Sequence, residues 1–229
     1  MPLATPVPPF DAIPGLVAEL WAWWMGIEKA VVHFVACDLY VAWLDPILLW
    51  MQEKTVALPL ALGALVALGL WRPRRALRAT LAIALGVGVA MLIASFCWTV
   101  IPRDRPPQVF ARTLETPAEL AACDRYPDAL PLRKHRSVAS SFPSRHSLTA
   151  GVFAVVILFA WRWAGCVSVP YGVLVAYGRV YAGKHWASDV VVGLLLGAAL
   201  GWWAWWFVPR IFARWGRSNL VDDPSSSGG

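Results

Sequence analysis

The sequence predicts an all-α fold, a polytopic transmembrane helical bundle of about five to six spans with interfacial helices at its N-terminus. Three observations carry that expectation. Residues 79–101 hold no charged side chain and exceed the roughly 20 residues that a spanning helix needs. Further apolar runs at 56–71, 147–161, 164–181 and 190–208 are separated by short polar or arginine-bearing segments. Many of the 15 tryptophans gather at the ends of such runs, as at Trp202, Trp203, Trp205 and Trp206, where an indole can keep its N–H at the headgroup level. With 59% hydrophobic residues the chain does not read as an ordinary soluble domain. Its net charge of +6 is spread over arginine clusters between apolar runs, which suits membrane orientation and speaks against a nucleic-acid partner.

Residues 1–15 are proline-interrupted and lack a basic n-region, so no cleaved signal peptide is expected. From Leu16 to Met51 the apolar sequence is broken by Glu19, Glu28, Lys29, His33, Asp38 and Asp45, and no stretch reaches spanning length. That region reads as one or two interfacial helices, with a tilted extra span as the alternative. Residues 56–71 form the first span, short and containing Pro59. Arg72, Arg74, Arg75 and Arg78 then make a basic turn ahead of the uncharged 79–101 helix. Residues 102–145 are a mixed-charge loop, too long for a plain connection and so functional or disordered.

Spans follow at 147–161, 164–181 and 190–208. In the last, Gly193, Gly197 and Gly201 recur every four residues and give one smooth face for close packing. The end of the chain, from Pro224, is low-complexity. Three regions result: an N-terminal segment 1–54, a membrane core 55–208 that includes the loop 102–145, and a basic, then disordered, cytoplasmic tail 209–229. Cys37, Cys97, Cys123 and Cys166 show neither metal-ligand spacing nor a disulfide framework.

Following the chain through these spans brings four helix ends to one membrane face, those near Ile101, His146, Arg179 and Asp189. The opposite face carries Arg72, Arg74, Arg75, Arg78, Arg162, Arg210, Arg214 and Arg217, which the positive-inside rule makes cytoplasmic. The polar turns at the first face therefore look toward the periplasm or cell exterior. One of them, residues 178–189, holds Arg179, His185 and Asp189. If a helix opens at Ser188 or a neighbour, His185 lies just ahead of it and Asp189 in its first turn. A carboxylate bonded to one imidazole nitrogen would then fix the tautomer and leave the other nitrogen free to attack. Taken alone, the turn reads equally well as a loop with its charges in water.

Two more stretches join it: residues 101–106, with Arg103, Asp104 and Arg105, and residues 142–146, with Ser144, Arg145 and His146. Arg105, Arg145 and Arg179 offer planar forks to phosphate oxygens. Ser144 offers a hydroxyl donor, and the helix after it the N–H groups of its first turn. Lys184 reads as an anion-attracting or simply solvated residue, and Arg103 with Asp104 as a surface pair or a phosphate contact. Lys134, His135 and Arg136 form a basic cluster that is either solvated or recruits substrate.

Together the three stretches resemble the type 2 phosphatidic acid phosphatase (PAP2) superfamily. Its motifs are a lysine, six residues and Arg-Pro; Pro-Ser-Gly-His; and Ser-Arg, five residues, His, three residues, Asp. Arg105-Pro106 matches the end of the first, Pro143-Ser144 and His146 the second, and Arg179, His185 and Asp189 the third. Trp98 stands where the lysine would be, Arg145 where the glycine would be, and Gly178 where the serine would be. The likeness covers roughly residues 55–208.

The resemblance implies that His185 is the nucleophile of a phosphohistidine intermediate, that Asp189 orients it, and that His146 serves as general acid and then base. It implies phosphate binding by Arg105, Ser144 and Arg179, and neither metal nor cofactor. Arg145 either supplies the positive charge that Trp98 lacks or points away from the pocket toward headgroups. The lysine-free Ile-Pro-Arg-Asp-Arg-Pro run looks most like the bacterial undecaprenyl pyrophosphate phosphatase branch. That implies removal of the terminal phosphate from undecaprenyl pyrophosphate at the outer face of the bacterial cytoplasmic (inner) membrane. The alternatives are a phosphatase for phosphatidic acid, phosphatidylglycerol phosphate or lipid A, a lipid phosphotransferase, and a non-catalytic lipid-binding protein. The implied partners are the lipid (pyro)phosphate and the bilayer; lipid tail, head group and oligomeric state stay open.

Overall fold

A computed structural model of the chain describes residues 15–51, 54–106, 109 and 140–214. Among these, all regular structure is helical: α1 (Leu16–His33), a π-helical turn (Phe34–Asp38), α2 (Asp45–Met51), α3 (Lys54–Trp71), α4 (Pro73–Val100), α5 (Arg145–Ala160), α6 (Arg162–Tyr181) and α7 (Ala187–Arg214). Residues 1–14, most of the long loop with Lys134, His135 and Arg136, and residues 215–229 lie outside the described residues. Among the described residues of the N-terminal region, α1 and α2 are separate helices, and the second begins at Asp45.

Two of the helices, α4 and the Ala187–Ile211 part of α7, are long and apolar enough to cross a bilayer, with mean hydropathies of 2.3 and 1.7. Both have 28 residues in all. At 1.5 Å per residue that is about 42 Å, more than the roughly 30 Å of a hydrocarbon core.

The basic turn expected at Arg72–Arg78 is largely helix. Proline is well suited to a first helical position, where its missing N–H costs nothing, and Pro73 starts α4 there. Arg74, Arg75 and Arg78 thus ride on the first turns of α4, and only Arg72 bends, in the non-helical conformation that a residue before proline favours. Arg78 is buried, unlike a residue of a solvated turn. Its Nε and Nη2 donate to the Trp205 carbonyl at 3.1 and 2.8 Å, and its guanidinium lies 4.0 Å from the Trp205 ring centroid. Pro209, four residues after Trp205, has no N–H to give that carbonyl. Arg78 supplies the missing donor and fastens the start of α4 to the end of α7.

At the centre α5 packs against α4, α6 and α7. Its contact with α7 is close because glycine leaves no side chain between the backbones. A Cβ on Gly193 would lie 2.9 Å from the Ser144 carbonyl, and one on Gly201 would lie 2.8 Å from that of Val152. One on Gly197 would collide with the Leu148 carbonyl. The smooth glycine face is thus the surface on which α5 lies, and it fixes the height of the α5 N-terminus against the start of α7. Leu148, Val152 and Val156 of α5 fill the core with Ala79, Ala82, Ala90 and Ala94 of α4 and Ala204 of α7.

A smaller cluster joins α1 to the site end: Val32 packs with Ala176 and Val180 of α6 and with Trp186 and Val190. Tyr40 stacks on Tyr181 at 6.4 Å, holding the segment after α1 at the same end. The cysteine pattern needs correction. Cys37, in the π-helical turn, is disulfide-bonded, whereas Cys97 and Cys166 are free. Widely spaced cysteines carry no pairing signal until the chain is folded.

Candidate active site

The turn between α6 and α7 is set by one glycine. Gly183, at φ +61°, adopts the left-handed conformation that ends α6. The N–H groups of Gly183 and Lys184 then bond the carbonyls of Val180 and Arg179 at 2.8 and 3.0 Å. α7 opens at Ala187, so His185 sits just ahead of it and Asp189 in its first turn, as the spacing suggested. Both side chains are buried. Lys184 is exposed.

Asp189 has other principal partners than the expected one. Its Oδ2 lies 3.7 Å from His185 Nδ1, too far for a hydrogen bond. Oδ2 accepts instead from the Ser141 hydroxyl and from the Trp186 N–H at 3.1 Å. Oδ1 pairs with Arg103 Nη1 at 2.6 Å. His185 Nδ1 lies 2.9 Å from the Ser141 carbonyl oxygen. A carbonyl can only accept, so Nδ1 carries the hydrogen and Nε2 keeps its lone pair. The tautomer is fixed by a backbone carbonyl, and Asp189 holds the residue that presents it.

The second motif is tied to the third through the backbone: the Ser144 N–H donates to the Asp189 carbonyl at 3.1 Å. Ser144 is fully buried and caps α5, its Oγ accepting from the Ser147 hydroxyl at 3.1 Å and the Ser147 N–H at 3.5 Å. Arg145 and His146 are the first two residues of α5, both half-buried. The Arg145 guanidinium lies 3.5 Å from the Trp98 ring centroid. Arg179 is buried in the last turn of α6. Arg105 follows α4 in the segment that runs beside Ser140 and Ser141, where the Ser141 N–H donates to the Arg103 carbonyl at 2.7 Å.

Charge ties these groups together. Burial lowers the His185 pKa below the usual imidazole value, Asp189 opposes the shift, and the positive charges of Arg179 and Arg105 add to it. Burial likewise lowers the Arg105 pKa, with Asp189 opposing and Arg145 adding. The end of the bundle thus gathers a neutral-leaning imidazole among guanidinium groups.

Sequence reasoning missed three members. Arg103, only 10% exposed, is a partner of Asp189 and not half of a surface pair with Asp104. Its Nη2 also meets Glu28 of α1 at 3.2 Å, and Nη1 donates to Ser188 Oγ at 2.7 Å. Ser141 is the third. Glu28 did leave a signal, since an acid inside an apolar helix must find a partner or lose its charge. Ser141 left none, because its role depends on a contact between distant segments.

The fold resembles that of a solved membrane enzyme, the transmembrane PAP2 type phosphatidylglycerolphosphate phosphatase from Bacillus subtilis. The TM-score is 0.57 at 21% identity, covering 82% of this chain and 88% of that one. Residues 75–213 match the PAP2 superfamily, and the chain belongs to it. It is also similar to an undecaprenyl-diphosphatase of Sulfolobus acidocaldarius, 42% identical over 59 residues, which are 25% of this chain and 29% of that protein. A lipid A 4'-phosphatase of Bacteroides thetaiotaomicron is 31% identical over 75 residues, 32% of this chain and 33% of that protein. The matched stretches thus span about a third or less of these curated relatives.

Proposed function

We propose that this chain is an integral membrane lipid phosphatase that removes the terminal phosphate of a lipid (pyro)phosphate, with undecaprenyl pyrophosphate as the favoured substrate. The observation that carries the reading is the His185 tautomer: Nδ1–H is held by the Ser141 carbonyl, which leaves Nε2 as a nucleophile in the positive field of Arg179 and Arg105, the latter in turn in the field of Arg145. The arginines neutralise the phosphoryl oxygens, and the charge they meet grows as the bond to the leaving group stretches. Nε2 attacks the terminal phosphorus and forms a P–N bond. The P–O bond to the lipid monophosphate breaks, and His146 protonates the departing oxygen. His146 then takes a proton from water, whose oxygen attacks phosphorus, and the P–N bond breaks to release inorganic phosphate.

The same reading gives the chain about five to six spans, a catalytic core at 55–208 with N-terminal segment 1–54 and tail 209–229, and a site outside the cytoplasm. The disulfide of Cys37 supports that sidedness, because it lies at the site end, where Tyr40 stacks on Tyr181. Disulfides persist outside the reducing cytoplasm. The similarity to an undecaprenyl-diphosphatase favours the polyprenyl substrate, and that to a lipid A 4'-phosphatase supports lipid A as the second reading.

Purified protein presented with undecaprenyl pyrophosphate, phosphatidic acid, phosphatidylglycerol phosphate and lipid A, with and without EDTA, tests the proposal. Phosphate release should be fastest from the polyprenyl substrate and unaffected by the chelator. Release from lipid A alone would establish the second reading, and release from none would contradict both.

A further inference from the structure

Glu28 lies on α1, outside the stretch that matches the superfamily, yet its side chain is only 2% exposed. Its helical neighbours on that face, Met25 and Val32, pack against Ala176, Val180, Trp186 and Val190. An apolar residue at position 28 would suit such a surface. Instead the carboxylate reaches the site by two routes. Oε1 pairs with Arg103 Nη2 at 3.2 Å, and both oxygens lie near the Ser188 N–H, at 3.3 and 3.4 Å, in the first turn of α7. Arg103 passes the contact on, since its other nitrogen, Nη1, holds Asp189 Oδ1 at 2.6 Å.

The charge count argues for more than packing. Arg103 and Asp189 alone would form a neutral buried pair. A second carboxylate adds a desolvation cost that a purely structural contact does not require. With Glu28 the three side chains carry a net charge of −1 behind the imidazole. That charge opposes what faces His185 from the other elements: Arg179 of α6, Arg105 after α4, and Arg145 of α5 acting on Arg105. Once Nε2 bonds to phosphorus while Nδ1 keeps its hydrogen, the ring itself becomes cationic, and a nearby net negative charge stabilises it.

We propose that Glu28 is a positioning residue of the active site, which acts through Arg103 and Asp189 to hold the α7 N-terminus and to keep a net negative charge behind His185. α1 is then a working part of the site. The proposal deepens the phosphatase reading and rests on it for its effect on turnover.

The test pairs E28Q, which keeps shape and an acceptor oxygen but removes the charge, with E28D, which keeps the charge. Two quantities are read in detergent: the titration of His185 by NMR of histidine-labelled protein, and kcat and KM for phosphate release. The chain has four histidines, so H185A identifies the signal. In E28Q, His185 should titrate at lower pH than in the wild type, because removing a negative charge disfavours the imidazolium. Its kcat should fall about tenfold, the size of a coupling within one hydrogen-bonded network, with KM within about twofold. E28D should return the titration toward the wild-type position.

A folded E28Q with an unshifted His185 titration overturns the proposal. Loss of folded protein in E28Q, judged by size exclusion, makes Glu28 a residue of the fold and overturns it as well. A shifted titration in a protein whose wild type releases no phosphate would leave the positioning role standing and remove the phosphatase reading.

Discussion

The guanidinium of Arg145 rests on the face of Trp98, 3.5 Å from the ring centroid. These are two of the positions at which the chain departs from the motifs it resembles, and they touch. The indole is itself oriented, its Nε1 donating to the Pro143 carbonyl at 3.4 Å. Arg145 Nε is buried with no hydrogen-bond partner among the described residues. A cation–π contact of about 0.5–2 kcal/mol can hold the fork in place without using its donors. We propose that this aromatic platform plus an arginine does the work of the single lysine in the resembled motif.

R145G, which restores the resembled motif at that position, should therefore damage this protein. Loss of a charge-assisted contact made in the transition state predicts a fall in kcat of about a hundred- to a thousandfold. W98A, which only releases the guanidinium, should cost about tenfold, within the range of one cation–π contact. Steady-state kinetics on the preferred lipid check both; an R145G enzyme with unchanged kcat and KM contradicts the exchange.

The acid limb of the pH profile should lie below the ordinary histidine value of 6.5. Burial and the charges of Arg179 and Arg105 disfavour the imidazolium, so His185 stays neutral to lower pH than a free imidazole. With His185 as the proposed nucleophile, activity would need the neutral form and be lost only as pH falls through the lowered pKa. A profile of kcat/KM, corrected for substrate ionisation, should show this. R105M should move the limb upward, because it removes one of those charges. A limb at or above 6.5 in the wild type would contradict the assignment.

The packing of α5 on α7 predicts contrasting glycine substitutions. G197A puts a methyl group into the Leu148 carbonyl and must part the two helices. Overpacking of this kind costs about 1–3 kcal/mol. It should also lower kcat, because it shifts Ser144 and His146 against the start of α7. G88A meets nothing within 4 Å and should be neutral or stabilising by up to about 1 kcal/mol. Thermal melts in one detergent check the pair, and equal melting temperatures would contradict the close approach.

The helices and the motif turns could be read from residue order, because apolar run length and helix-ending residues are local properties. His185 and Asp189 took their expected places for the same reason: Gly183 ends α6, and the next turn begins two residues after the histidine. What escaped was long-range. The apolar run at 79–101 understated α4 because Arg78 counts as a charge in the sequence but is satisfied in space by a carbonyl that Pro209 leaves without a donor. Arg103 looked like a neighbour of Asp104 because adjacency is all that a sequence offers. Its partners are 75 and 86 residues away. The disulfide of Cys37 escaped for the same cause.

Sidedness can be measured with Cys97 and Cys166, free among the described residues, replaced by serine. K184C, exposed beside His185, should react with an impermeant maleimide in intact spheroplasts. R162C, exposed at the first residue of α6, should react only after lysis. Unfolding without reductant should reveal two fewer thiols than unfolding with it. The reverse labelling pattern would put the site in the cytoplasm and remove the reading of a site that acts at the outer membrane face.

The most direct measurement is rapid-quench trapping with undecaprenyl pyrophosphate labelled in its terminal phosphate. The account predicts a transient, acid-labile label on the peptide that contains His185. It predicts no label in H185A, and label that persists in H146A, where water is not activated. Label and turnover that survive in H185A would contradict the account at its centre.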